Sequence, residues 1–287
     1  MPSSPTRSPA RIGQFALGLI WIVDGLLKLQ PYFFTHFVSG VIDPSAAGQP
    51  AVIGHPITWI GNLIRPHQGV FVVLAVLGEL SIGVGLLVRA TVKPACTAPL
   101  YIVAGLLVWP RTPQAQDAEQ PAFGLLGEWG ARLLWLALWL ATAALWLFHA
   151  NAAGDATSAA FTSAPSGAGW LSSLQSSATN LVNGSGMTVA VLLAVVSAEV
   201  GLCVLWGRGT RIALIGSMAV SLAFWFLAEG LGGLFTGQAT DVGTAPLMIL
   251  IAALLLPLAA RPSEHLNQSL FPRRQEVTGD ERGRLLA

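Results

Sequence analysis

TAPLYIVAGLLVWP, Thr97 to Pro110, returns 147 residues later as TAPLMILIAALLLP, Thr244 to Pro257. The recurrence points to a chain built by duplication. A second aligned block carries a smaller offset of 119, so the two copies are unequal and the first lacks about 28 residues, the length of one membrane-spanning helix with its loop. That inequality sets the reading of fold, orientation and site.

Hydrophobic residues make up 53% of the 287 positions and charged ones 10%, with a mean hydropathy of +0.64. Soluble domains are roughly a quarter charged, so the composition is that of a polytopic membrane protein. Runs near the roughly 20 apolar residues that cross a bilayer occur at Ile12 to Leu29, Gly69 to Val88, Ala95 to Trp109, Ala131 to Phe148, Thr188 to Trp206, Ile212 to Leu227 and Ala245 to Ala260. Arg7 and Arg11 before the first run imitate a signal peptide, but Asp24 and Lys28 interrupt it and no small-residue cleavage site follows. It reads as a retained helix. The net charge of +1, with arginines spread along the chain, excludes nucleic acid as the main partner. Cys96 and Cys203 stand 107 residues apart and suit neither a disulfide framework nor a metal knuckle.

The expected organisation is a tail (1–10), a first membrane repeat (11–110), a polar linker (111–130), a second membrane repeat (131–260) and a hydrophilic, disordered C-terminal tail (261–287). The loop from Gln30 to Gln68 carries FFTHFVSGVI and ITWIGNLI, and the loop from Ala150 to Met187 carries GWLSSLQSSATNLV. These pieces suit helices lying at the membrane surface. Lys and Arg mark the cytoplasmic side. With both repeats running parallel, thirteen of the fifteen fall on one side, Arg65 on the other and Lys28 within the membrane. Both ends of Ala95 to Trp109 then lie inside, so that segment is expected to be re-entrant, with six crossings elsewhere. The arrangement in which all seven cross splits the charges less cleanly. The chain thus belongs in a cell membrane, inner or plasma, as a multi-pass protein with a cytoplasmic C-terminal tail.

RIGQFALGLIWIVDGLLKL, Arg11 to Leu29, resembles the opening helix of DoxX-like membrane proteins in its basic start, Leu17-Gly18, Gly25 and Lys28-Leu29. ELSIGVGLLVR, Glu79 to Arg89, resembles that family's second helix, and AEVGLCVLWGRGTR repeats the feature with Glu199, Gly201, Gly207, Thr210 and Arg211. The resemblance implies an all-α polytopic integral membrane helical bundle of two fused DoxX-like four-helix units, one helix missing from the first. Family members accompany membrane redox systems, including a thiosulfate:quinone oxidoreductase, and many have no assigned activity. A quinone and membrane redox partner proteins are what the resemblance implies as cofactor and partners, beside the lipid bilayer itself. At an offset of 114, Trp21 falls on Trp135, while Asp24 and Lys28 fall on Leu138 and Thr142, so the charged pair is confined to the first copy.

Asp24 and Lys28 are four apart, acid first, on one helix face. Each alone costs about 2.5 to 3.5 kcal/mol at the membrane centre on insertion scales, so a mutual pair facing the bundle is expected, as a site or as a lock between helices. Glu79 and Glu199 sit among small residues that allow close helix approach, and suggest a structural carboxylate in each bundle or a proton- or ion-handling one. Glu229 joins Asp24 and Lys28 toward the outer helix ends, where His36, His55, His67 and His149 also fall. Histidine spacings of 19 and 12 match no metal pattern, so these are weak ligand candidates. EGLGGLFTG, Glu229 to Gly237, lacks the spacing and lysine of a phosphate loop and reads as a tight turn needing positive φ.

No nucleophile with a base, dinucleotide loop or haem attachment motif is present in the sequence, so the expectation is a non-catalytic or accessory subunit of a membrane oxidoreductase. A transporter or channel for a small solute, metal ion or lipid is the alternative that duplication and intramembrane charge suggest. A scaffold for complex assembly is the third.

Overall fold

The computed structural model describes residues 9–47, 51–88, 123, 126–148, 151–205 and 209–260. All regular structure among them is helical. The order is α1 (Pro9–Leu27), α2 (Pro31–Phe37), a π-helical turn (Val38–Ile42), α3 (Asp43–Ala46), α4 (Ala51–Ile64), a 3-10 turn (Arg65–His67), α5 (Gln68–Leu87), α6 (Gly127–Trp146), α7 (Ala156–Ser163), α8 (Gly169–Val182), α9 (Gly186–Cys203), α10 (Thr210–Leu227) and α11 (Ala245–Leu255). Among the described residues four spans are long and apolar enough to cross a membrane: Ala51–Leu87, Gly127–Trp146, Gly186–Cys203 and Thr210–Leu227. A fifth is counted if α1 and the helices after it, bent by 76°, form one span. The protein is membrane-embedded and multi-pass.

Two of the seven apolar runs fare differently. Ala245–Ala259 is a shorter apolar helix, ending in a 3-10 turn where Pro257 stops the α-helical ladder. Ala95 to Trp109, most of the 111–130 linker and the tail from Arg261 lie outside the described residues. The stretch from Gln30 to Gln68 is mostly helical: FFTHFVSGVI lies in α2 and the π-helical turn, in a segment bent by 76° from α1, and ITWIGNLI lies in α4, which leads through the 3-10 turn into α5. GWLSSLQSSATNLV is helical from end to end as α8.

Helix pairs α1–α5 and α6–α9 form the closest associations of the bundle. Glycine makes the first of these possible. A Cβ on Gly18 would stand 2.8 Å from the carbonyl oxygen of Gly83, and one on Gly83 would stand 2.6 Å from Ile22 Cγ1, so the backbones meet with no side chain between them. The second crossing follows the same plan 118 residues later, with Gly201 against Trp139 and the carbonyl of Leu136. In that register Trp21 corresponds to Trp139, both buried, and Leu86 to Val204, both fully buried. The offset of 114 taken from the tryptophans alone is therefore one helical turn out of step with the packing.

Arginine closes each pair at the same end. Arg11 donates to the carbonyls of Leu86 and Leu87 at the end of α5, to Gln14 Oε1 at 3.1 Å, and lies over the Phe15 ring. Arg132, 4% exposed, donates to the carbonyls of Val204 and Leu258 and pairs with Glu128 at 2.9 Å. The last carbonyls of a helix have no intrahelical donor, so each guanidinium satisfies groups that apolar neighbours could not. Because α1 and α6 both begin at this basic end, they run parallel. One core joins the halves, from Leu17, Trp21 and Leu86 to Trp135, Trp139, Val200, Leu214 and Leu255.

Candidate functional site

Gln30 ends the first helix at a proline, Pro31, after 3-10 contacts from Leu29 N–H to Leu26 and from Gln30 N–H to Leu27. That tightening leaves Asp24 and Lys28 at the far end of α1, facing α5 and the loop that leads into α11. Asp24 is 2% exposed, and its Oδ1 accepts the N–H of Val242 at 2.9 Å. Lys28 does not have Asp24 as its close ion-pair partner. Its Nζ is 2.9 Å from Glu79 on α5 and donates to the Thr240 carbonyl at 2.6 Å. The i, i+4 spacing put acid and base on one face, but a neighbouring helix and a loop offered each better-placed partners.

The loop is gripped from other sides too. Trp225 Nε1 donates to the Val242 carbonyl at 2.7 Å, so both polar groups at Val242 are satisfied by buried or half-buried side chains. Glu229, at the end of α10, accepts from the Thr244 hydroxyl and from the Ala245 N–H at 3.2 Å. A carboxylate there answers an orphan donor and the positive end of the α11 dipole. Asp241 accepts from Thr240 Oγ1 and Gly243 N–H, each at 2.8 Å. Gly243 has φ 89, and a Cβ on it would collide with the Glu229 carboxylate, so glycine is required on both grounds.

Three of the four expected carboxylates thus converge with Lys28 on one loop. Glu199 does not. It is exposed on α9, and in the packing register its counterpart is Ser81, also exposed, whereas Glu79 corresponds to the buried Ser197. Glu79 and Glu199, out of register between the repeats, thus face different surroundings: two positions rotate the side chain by about 200° around a helix. Thr240, Trp225 and Asp241 were not signalled in advance. Backbone acceptors leave no trace in residue type, and tryptophan near a segment end reads as an interfacial anchor.

The histidines do not gather. His36 stacks on Tyr32 at 4.7 Å and shares a hydrogen bond with Thr35, while His55 and His67 are exposed on the far-end helices. His149 lies outside the described residues. Among the described residues no three His, Cys, Asp or Glu side chains stand together as metal ligands. EGLGGLFTG is a glycine turn, with φ positive at Gly230, Gly232, Gly233 and Gly237 and at Leu231. No family model, no curated protein and no solved structure matches the chain.

Proposed function

We propose that the chain is an accessory membrane subunit, two fused DoxX-like units with the first one short, that serves a quinone-linked redox system rather than performing the chemistry itself. The observation that carries this reading is the use made of the intramembrane charges. Asp24, Lys28, Glu79 and Glu229 are engaged in holding the backbone from Thr240 to Ala245 and in closing α1 on α5. Such groups build a rigid surface for another protein. The redox assignment rests on the resemblance of RIGQFALGLIWIVDGLLKL and ELSIGVGLLVR to that family, and the 118-residue correspondence in packing supports the duplication. Extraction in mild detergent followed by mass spectrometry tests it. A retained redox protein or quinone is the expected result; recovery of the chain with lipid alone ends the proposal.

The basic end is the cytoplasmic one in this reading, by the excess of Lys and Arg there. The described flanks of the 95–109 segment, Val88 after α5 and Leu126 before α6, both stand at that end, which supports an even number of crossings between them and six crossings by α1, α5, α6, α9, α10 and α11.

A second reading, a carrier for a small cation or solute, is favoured by one feature. The irregular backbone around Val242 lies about 20 Å from the basic end at 1.5 Å per residue of α1, within the bilayer's depth. Broken helices of this kind surround transporter sites. Uptake by reconstituted liposomes that vanishes in Asp24→Asn would establish it, and unchanged leakage in both proteins would remove it.

A further inference from the structure

Asparagine occurs five times in the chain, and only Asn183 is followed by glycine. The pairing matters because an asparagine amide is open to attack by the backbone nitrogen of the next residue, and any side chain on that residue crowds the approach. Folding then decides which amides are exposed to it. Asn62 and Asn180 lie inside α4 and α8, where the helical ladder fixes the backbone that follows. Asn151 gives its amide to the Leu145 carbonyl at 2.9 Å, and the next N–H, of Ala152, donates to the Phe148 carbonyl at 3.0 Å. Asn267 lies outside the described residues.

Asn183 and Gly184 are the two central residues of the turn between α8 and α9. Asn183 has φ -57 and ψ 129, and Gly184 has φ 72, the angles of a type II turn. One hydrogen bond closes it, from the Ser185 N–H to the Val182 carbonyl at 3.0 Å. Both residues are exposed, and a Cβ on Gly184 would meet nothing within 4 Å. Among the described residues neither the Asn183 side chain nor the Gly184 N–H has a hydrogen-bond partner. The turn also stands within reach of water. α9 has 18 residues, about 27 Å of helix and close to the ~30 Å thickness of a hydrocarbon core. Its last turn, beside Val204, is at the basic end. Asn183 precedes its first turn and so falls at the opposite membrane surface.

We propose that Asn183 is a deamidation site, converted in the folded protein to aspartate and isoaspartate. Gly184 N gives its proton to a base in the water and bonds to Asn183 Cγ; the Cγ–Nδ2 bond breaks, and Nδ2 takes a proton from water and leaves as ammonia. The product is a cyclic succinimide. Water then adds at Asn183 Cγ, restoring the ordinary backbone as aspartate, or at the backbone carbonyl carbon, leaving isoaspartate. The net change is amide plus water to acid plus ammonia, with no oxidant. Ring closure requires Asn183 to leave ψ 129, which a single exposed hydrogen bond resists and which Gly184, lacking a Cβ, is free to follow. The new carboxylate arrives in a stretch, Asn151 to Met187, without Lys or Arg, just before the N-terminus of α9, whose dipole favours negative charge. The far-end surface thus gains charge while the fold is kept. The modification needs neither quinone nor partner protein and is independent of the redox reading.

Mass spectrometry of the full chain tests it, with the protein held in lipid discs in heavy-oxygen water at mildly alkaline pH and sampled over weeks. The peptide containing Asn183 should gain the mass of an amide-to-acid change carrying one heavy oxygen, as two separable isomers with isoaspartate in excess. Asn151 and Asn180 should remain amides over the same period. Gly184→Ala should slow the change at Asn183 by an order of magnitude or more, and Asn183→Gln should abolish it, with circular dichroism checking that both variants stay helical. An amide retained at Asn183, a rate matched at Asn151 or Asn180, or a rate unchanged in Gly184→Ala overturns the proposal.

Discussion

Lys28 and Glu79 form a salt bridge whose side chains are 12% and 18% exposed, deep enough that removing one partner strands the other. Breaking a buried pair costs about 3 to 5 kcal/mol, and the residual exposure places this one near the lower figure. Lys28→Met should therefore lower unfolding stability in detergent by about 3 kcal/mol, while Lys28→Met with Glu79→Leu should recover most of the loss. If the double variant is as unstable as the single one, Lys28 acts chiefly through the Thr240 carbonyl. Asp24→Asn keeps an acceptor for Val242 N–H, whereas Asp24→Ala leaves that donor unmet at a cost of about 1 to 3 kcal/mol. Thermal unfolding should rank them in that order. The presence of these charges within an apolar helix was legible in the sequence. Their partners were not, because spacing along one helix says nothing of what an adjacent helix or loop places opposite.

At the level of the helices, glycine divides into positions that packing requires and positions it does not. Gly18→Ala would push a methyl against the Gly83 carbonyl, backbone against backbone, so α1 and α5 must separate. Overpacking of this kind costs about 1 to 3 kcal/mol. Gly78→Ala meets nothing within 4 Å and should stabilise the isolated protein by about 0.5 to 1 kcal/mol through helix propensity. Equal melting shifts for the two would contradict the described crossing. Helix positions were readable from apolar length: α6, α9 and α10 begin and end within a few residues of the runs Ala131 to Phe148, Thr188 to Trp206 and Ile212 to Leu227. Rotation was not. A helix apolar on both its lipid side and its core side carries no stripe from which to tell Ser197 from Glu199.

For the molecule as a whole, parallel α1 and α6 bring both flanks of the 88–126 stretch to the arginine end. A cysteine introduced at Gln116 should resist labelling by a membrane-impermeant reagent added to intact cells, and become reactive once they are opened. Labelling from outside would sink the six-crossing arrangement. Composition marked the chain as membrane-embedded, since so few charged residues are present, and apolar runs near 20 residues long made its spans helical. The TAPL recurrence located α11, where Thr244 precedes the first turn and Pro257 closes the last. Only the tertiary structure decided that Thr244 answers to Glu229, that Lys28 turns from Asp24 to Glu79, and that α4 leads through a 3-10 turn into α5. Burial and chain length are properties that residues carry with them; the partner of a buried polar group is set by which helices meet, and that is fixed by glycine contacts far apart in the chain.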